Sequence, residues 1–423
     1  MRVALLTQYY KPEMGAPQNR LYEMVMGLRQ LGNEVVVVTA MPNYPTGKIF
    51  AEYKGKFSAT EQTDDITIRR YWLYASNSKK SLPRILSMLS FSATSLCSLR
   101  FLLKHKPDCI VVESPPLTLC LTAMLLAKLC RAKLVTNISD LWPLSAKELG
   151  ALSEQSCMYK LLERLESFIY RHSAACMGQS EEIVNYIRKI KEKGGEKNES
   201  TTYLFRNGVD PKRFEIQRFH ARERSEVARM GNVQLSMVNV QCPTVNVIYT
   251  GLLGFAQGLL QLCESIDFSQ LGAEFHIYGD GGEKEAIAQY VAAHPERGII
   301  YHGSVSRDEI PQVLSQADVT LIPLIKHIYG AVPSKIYESM AAGLPIIFAG
   351  EGEGQHIVEK YQLGWTVPAR DYNRMKKCIA EIAANPAALQ TFRNNCIHCA
   401  QNYFNRPKQI SDLNQFLQSL ITN

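Results

Sequence analysis

The series strand, loop, helix starts twice in this chain, at its first residues and again near residue 245, and any fold has to accommodate both starts. Val3 to Thr7 reads as a short apolar strand, Gln8 to Pro17 as a loop, and Asn19 to Leu31 as a helix ended by Gly32 and Asn33. Val35 to Thr39, Cys109 to Glu113, Lys133 to Ile138, Ala174 to Met177 and Thr202 to Phe205 follow as strands. The series restarts with strand Val245 to Tyr249, glycine-bearing loop Gly251 to Gly258 and helix Leu259 to Ile266. Glu274 to Tyr278, Gly298 to Tyr301, Asp318 to Pro323, Pro345 to Ala349 and Trp365 to Val367 complete it. Short apolar strands alternating with helices predict parallel sheets, and 423 residues exceed one ordinary core. The expected architecture is α/β, two doubly wound Rossmann-like domains facing a central cleft. The first domain is expected over 1–214, a polar linker holding Pro243 over 215–244, and the second domain over 245–405. A last helix, within 406–423, is expected to pack back on the first domain.

Charge is unevenly placed. The net charge is +7, yet Ile66 to Pro107 holds no Asp or Glu and eight Lys or Arg. Inside it, Ile85 to Leu99 is a run of fifteen uncharged residues between Arg84 and Arg100. That is short of the roughly 20 residues a spanning helix needs. Two readings stand: a basic-flanked helix lying on an anionic membrane surface, or a packed core helix with solvated ends. The basic residues flank an apolar block, which argues against nucleic acid. Met1 to Thr7 lacks the apolar core of a signal peptide, and eleven scattered cysteines suit reduced thiols, so a cytoplasmic location is expected. The Cys396-x-x-Cys399 pair has no second pair to complete a metal site.

In open α/β sheets ligands sit at the carboxyl ends of strands, so the loops after strands carry the interest. After the first strand, "TQYYKPEMGAPQNR" offers Gly15 and Ala16 before a helix start, with Arg20 one turn inside. Either it contacts a phosphate or it is an ordinary turn with an exposed arginine. No G-x-x-x-x-G-K-[ST] and no G-x-G-x-x-G follows that strand, which argues against an NTPase and a dinucleotide oxidoreductase. Strand ends of the second half carry "YTGLLGFAQG", "YGDGGEK" and "AGEGEGQ". In "PSKIYESMAAGLPI", Ser334 is the expected N-cap, Lys335 the first helical residue and Gly343 the stop. Lys335 and Glu338 then share a face at a helix N-terminus, suited to a diphosphate and a ribose diol. As a plain surface pair they would contribute under about 0.5 kcal/mol.

These stretches together resemble the GT-B retaining nucleotide-sugar glycosyltransferases of family 4. The resemblance runs through "NGVDPKRF" (207–214), "YTGLLGFAQGL" (249–259), "IYGDG" (277–281), "HGSVSRDEIPQVLSQADVTLIPL" (302–324), "PSKIYESMAAGLPI" (333–346) and "GEGEGQHIVE" (350–359). "MPNYPTGKIF" (41–50), "ESPPL" (113–117) and "DLWPLSA" (140–146) resemble the branch from bacterial surface-polysaccharide (O-antigen or capsule) clusters, which includes proteins regarded as L-fucosamine transferases. The resemblance implies transfer of a hexose, in that branch a 2-acetamido-2,6-dideoxyhexose, from a UDP-linked donor to a polyprenyl-diphosphate-linked sugar. It implies Glu338 as the ribose ligand, Gly303 and Val305 beside the base, and Gly352, Glu353 and Gly354 toward the donor. Gly15, Gly254, Ser334 and Lys335 complete that donor set. Asp140 falls near a position where many members carry a histidine, so Asp140, Lys335 and Glu338 form the expected catalytic set. Ala16, Arg20, Asn43 and Lys48 are expected to meet the acceptor, with 66–107 holding the protein at the inner membrane face. No cofactor is implied, and with no Asp-x-Asp no metal is expected. The chain departs from the family twice: Gly330 stands at the usual first glutamate, and Leu252, Leu253 and Gln257 replace the usual Arg and Lys. Lys335 is the expected substitute for that lost charge. An epimerase and a non-catalytic lipid- or partner-binding member are the rival readings.

Overall fold

The computed structural model describes residues 1–78, 81–148, 150–195, 201–215 and 244–422. The chain divides into two units, Met1–Arg206 with Ile328–Gly330 and Pro407–Asn423, and Asn207–His327 with Ala331–Arg406.

The first unit runs β1 (Arg2–Thr7), α1 (Ala16–Gln30), β2 (Glu34–Ala40), β3 (Ser58–Thr63), β4 (Ile66–Tyr71), α2 (Ser81–Thr94), α3 (Leu99–His105) and β5 (Cys109–Ser114). It continues α4 (Leu117–Cys130), β6 (Lys133–Ile138), α5 (Leu144–Glu148), α6 (Cys157–His172), β7 (Ala175–Gly178), α7 (Glu181–Lys193) and β8 (Thr202–Leu204). The eight strands lie in the order β3-β4-β2-β1-β5-β6-β7-β8. All pairings are parallel except β3 with β4. A parallel strand is covered on both faces, which is why β1, β2 and β5 are nearly unbroken apolar runs. Leu6, Val38 and Val112 point to a core shared with α2, α4, α6 and α7, whereas Leu5, Val37 and Val111 point to one shared with α1.

The second unit runs β9 (Val245–Thr250), α8 (Leu259–Ser265), β10 (Ala273–Tyr278), α9 (Lys284–Ala293), β11 (Ile299–Gly303), α10 (Ile310–Leu314) and β12 (Val319–Pro323). It continues α11 (Lys335–Ala342), β13 (Ile346–Ala349), α12 (Glu353–Lys360), β14 (Gly364–Val367), α13 (Tyr372–Ala384) and α14 (Leu389–Asn402). Its six strands, ordered β11-β10-β9-β12-β13-β14, are all parallel. The last helix, α15 (Arg406–Thr422), buries Ile410, Leu413 and Leu417 in the first unit's core with Leu21, Val25 and Leu28 of α1. The C-x-x-C cysteines lie in the core of α14, where Cys396 Sγ is 3.5 Å from Leu344 O.

Three expectations need correction. The first unit ends at Arg206 rather than 214, because Val209 and Phe214 pack with Ile336 and Phe404 in the second unit's core. Most of the expected linker, 216–243, lies outside the described residues. The start of the basic segment is no membrane face. It forms β4, antiparallel to β3, and Arg70 is buried there, held by Glu61 at 2.9 Å. The apolar helical stretch is longer than fifteen residues: Leu82–His105 spans 24, long and apolar enough to cross a membrane by length and composition. A 3-10 turn at Ser95–Ser98 interrupts it, and α2 and α3 pack on α4.

Leu413 is fully buried, so Leu413→Ala should destabilise the first unit by about 2–5 kcal/mol. Chemical denaturation of the full chain checks this; a change under about 0.5 kcal/mol would mean that the helix is not part of that core.

Candidate functional site

In the second unit the loops at the carboxyl ends of β9, β10 and β11 are laced together. Gly251 N–H donates to Tyr278 O at 2.8 Å, Leu253 N–H to Asp280 O at 2.9 Å and Gly279 N–H to Gly303 O at 2.8 Å. A Cβ at Gly279 would lie 1.8 Å from Gly251 O and one at Gly281 2.4 Å from Leu253 O, so these two glycines of "YGDGG" serve loop packing. Gly251 has a φ of 135°, and a Cβ there would lie 2.8 Å from Lys335 Nζ. The missing side chain is thus the space that Lys335 occupies. Its ammonium sits 4.9 Å from the centroid of the Tyr249 ring, a cation–π contact. The Tyr249 ring is buried, and its hydroxyl donates to Leu252 O at 2.6 Å. Desolvation pushes the Lys335 pKa down to about 8 against the opposing pull of Glu338. A half-buried ammonium is therefore held at the strand ends, one turn before Glu338 on α11.

The other expected donor residues are in this unit too. Gly343 ends α11 in the left-handed region with a φ of 70°. Ser334 does stand at the helix start, but its own αR dihedrals keep its hydroxyl from capping, and it makes no side-chain cap bond. Gln257, which replaces a cation, folds back to accept from Gly254 N–H at 3.2 Å. Gly303 has a φ of 79° and nothing within 4 Å of where a Cβ would sit, while Val305 packs on the core. Gly352 precedes α12 with a φ of 85°, and a Cβ there would lie 2.1 Å from His327 Nε2. Glu353 is buried in the first turn of α12. Gly354 makes room for Phe348, 2.7 Å from where its Cβ would be, so only its backbone is available to a ligand. Tyr249 and His327 escape sequence reading because nothing local marks them. A cavity of about 230 Å³ lies along the face of this sheet beside α10, lined by Asn246, Ile248, His276, Tyr278, Val313 and Gln316.

In the first unit Arg20 is not a free cation, as the sequence suggests. It is 5% exposed and its guanidinium donates to Glu113 at 2.8 Å, to Ser139 and to Gln179. Asn137 also donates to Glu113, whose carboxyl is raised above its ordinary range by burial and pulled back by Arg20. These residues tie the carboxyl ends of β5 and β6 and the residue after β7 to α1. Gly15 has an extended φ of 172°, open to any residue, and the Gln18 side chain fills the space beside it. Ala16 is the first residue of α1. Asn43 is buried, and its N–H donates to Glu13 Oε1 at 2.7 Å. Glu13 also accepts from the N–H groups of Tyr44 and Tyr10, so it pins the loops after β1 and β2 together. Lys48 is exposed. Asp140 follows β6, and burial lifts its carboxyl to about 6, against a hydrogen bond from Ser145 and helped by Glu148.

Gly330 clusters with this unit. It has a φ of 83°, its N–H donates to Glu182 at 2.6 Å, and a Cβ there would lie 2.5 Å from Ile183 Cγ1. A glutamate has no room at that position.

Two domain models match the chain. Residues 15–195 match "Glycosyl transferase 4-like domain" and residues 244–385 match "Glycosyl transferases group 1". A putative colanic acid biosynthesis glycosyl transferase of Escherichia coli, WcaI, is 26% identical over 355 residues, 83% of this chain and 84% of that protein. The probable glycosyltransferase WbjE of Pseudomonas aeruginosa is 25% identical over 293 residues, 66% of each. Among solved structures, sucrose-phosphate synthase from Thermosynechococcus elongatus superposes with a TM-score of 0.72 at 17% identity, covering 100% of this chain and 99% of that one. HepE from Anabaena in complex with UDP gives 0.68 at 15% identity, covering 99% and 100%. Both likenesses show the GT-B fold.

Two outcomes follow. The Asp140 pKa rises from 3.8 unfolded to about 6 folded, so the ionised form is disfavoured by folding and stability falls as pH rises between those values. Asp140→Asn should be more stable than the parent at pH 8, by at most about 3 kcal/mol, with the gain vanishing near pH 4. Melting temperatures across that range read it. Gly330→Glu should lower stability by roughly 1–3 kcal/mol through its backbone alone, so restoring the family residue damages the chain. Denaturant midpoints decide that.

Proposed function

With both units matched by glycosyltransferase domains, the chain is a glycosyltransferase, and we propose that it moves a hexose from a UDP-linked donor to a polyprenyl-diphosphate-linked sugar with retention at C1. The observation that carries the donor half is Lys335 held over Tyr249 beside Gly251, one turn from Glu338. A desolvated ammonium at the ends of β9 and β12 is suited to the donor's diphosphate, and Glu338 to its ribose. The solved relative HepE was crystallised with UDP and with UDP-glucose, which favours UDP here. In the reaction Lys335 would stabilise charge building on the departing diphosphate. The acceptor hydroxyl would attack from the face the diphosphate leaves, its proton passing to the leaving oxygen. Asp140, with a carboxyl near 6, can hold or release a proton close to neutral pH.

The colanic acid relatives favour surface-polysaccharide assembly, O-antigen or capsule, and a 2-acetamido-2,6-dideoxyhexose as the sugar is the finest form of this reading. A lipid-borne acceptor would bring the enzyme, from the cytoplasm, to the inner face of the cytoplasmic membrane. Lys48, exposed in the loop after β2, is the cation offered to it.

Calorimetric titration with UDP and GDP tests the donor half. Lys335→Ala should weaken UDP binding about ten- to a hundredfold, the range of a charged hydrogen bond. Glu338→Ala should weaken it about tenfold. Because the bound anion favours the charged lysine, affinity should be level below pH 8 and fall above it. UDP binding that ignores both substitutions would move the site elsewhere. No nucleotide binding at all would favour a non-catalytic member, and a free isomerised sugar an epimerase.

A further inference from the structure

One helix covering the first unit's sheet, α2, buries serines beside Phe91 and is to that extent inside out. In α2, Ser87 and Ser92 are buried while Leu82, Ile85, Leu86 and Leu89 are exposed. The serines are held by partners: Ser92 Oγ lies 2.8 Å from Thr118 Oγ1, and Ser87 accepts from Gln8 at 3.4 Å. An amphipathic helix of a soluble domain places these groups the other way round. The adjoining helices bury apolar side chains in the usual way, yet they too present large apolar groups outward. α4 packs against α2, α3 and α6. It exposes Leu121, Leu125 and Leu129, one stripe at four-residue spacing, and carries a single charge, Lys128. α6 exposes Met158, Leu161 and Phe168. Trp72 and Tyr74, both exposed, are tied to α2 by Trp72 O accepting from Thr94 and by Tyr74 N–H donating to Ser90.

All three helices back onto the same core, so their outer stripes face away from the same side of the sheet. Neighbouring elements serve as controls. In that layer α7 exposes Asn185, Lys189 and Glu192; on the opposite face α15 exposes Asp412, Gln415 and Gln418. The leucine surface is therefore a property of α2 to α6 and not of the unit as a whole. Its charge is mostly of one sign. From α2 through α4 the helices hold Arg84, Arg100, Lys104 and Lys128, all exposed, and no Asp or Glu. On α6 the one exposed acid, Glu163, stands between Lys160 and Arg164.

We propose that α2, α3, α4 and α6 form one continuous surface that lies in the headgroup region of an anionic bilayer, leucines down and cations around them. An apolar area alone would suit any partner, but a cationic rim with exposed Trp and Tyr fits a sheet of anionic headgroups. The surface leaves out β4 at the start of the basic segment 66–107 and takes in α4 and α6 beyond its end. It deepens the reading of a lipid-linked acceptor and rests on that reading for its purpose, not for the binding itself.

The test is flotation of the full chain with phosphatidylglycerol-containing vesicles, with neutral phosphatidylcholine vesicles as control. The parent should float with the anionic vesicles, less so in 0.5 M salt, and be released by alkaline carbonate. The triple variant Leu121→Gln, Leu125→Gln, Leu129→Gln leaves every charge in place and should float at least tenfold less, with unchanged melting temperature and UDP affinity. Should that variant fail to fold, Arg84→Gln, Arg100→Gln, Lys104→Gln should cause a similar loss. A parent that stays in solution, or variants that float as well as it does, would overturn the proposal. Retention through carbonate would overturn it in favour of a spanning helix. A dimer in sedimentation that the α4 variant splits, without vesicle binding by the parent, would assign the surface to a second copy. UDP titration of the same sample keeps the donor question separate, since flotation without nucleotide binding sinks only the donor reading.

Discussion

Among the described residues every strand but β3 runs parallel to its neighbours, and a parallel strand has to bury both of its faces. That constraint sends the chain back across the sheet after each strand and collects the strand-to-helix loops at one edge. Lys335, Glu338, Gly251 and Gly352 are far apart in sequence but share that edge in the second unit, as Glu13, Asn43 and Asp140 do in the first. The same requirement covers the first unit's sheet with helices on both sides, and one of those covers became the leucine-bearing surface.

What the sequence showed depended on how local the signal was. The strands announce themselves as apolar runs, and α11 as a short helix bounded by Ser334 and Gly343. Long-range pairings have no local mark. Arg20 looks like a surface cation until Glu113, 93 residues away, is brought against it. Glu13 looks like one more loop carboxylate until the loop after β2 supplies two N–H groups to it. The β3–β4 hairpin was hidden for a different reason: Arg69 and Arg70 mask its alternation, yet Arg70 is buried because Glu61 answers it across the pair. The inside-out α2 was legible only as an apolar block, because composition does not say which side of a helix faces the core.

Several charged groups are kept in places that solvation disfavours. Asp140 and Lys335 are both moved toward neutrality by burial, one up to about 6 and the other down to about 8. Between those values both remain mostly ionised, and each is one small perturbation from changing state. Glu166 goes further: buried and hydrogen-bonded by Tyr170 and Tyr186, its carboxyl is lifted to about 8, so it stays largely protonated at neutral pH. It joins α6 to α7 as a polar anchor without carrying a charge.

The close approach of Gly279 to Gly251 bears on how such an enzyme can change over evolutionary time. Neither glycine can accept a side chain unless its neighbours retreat in step, so single substitutions at these two positions are dead ends. In the segments 324–334 and 350–352 Gly330 and Gly352 are pinned too, the one beside Ile183 and the other beside His327, but Lys326, Ala331 and Glu351 are exposed and free to drift without disturbing the lysine's seat. Diversification to new sugars should therefore be recorded in those two segments, while the glycines of the neighbouring strand ends stay constant as the scaffold's fossil.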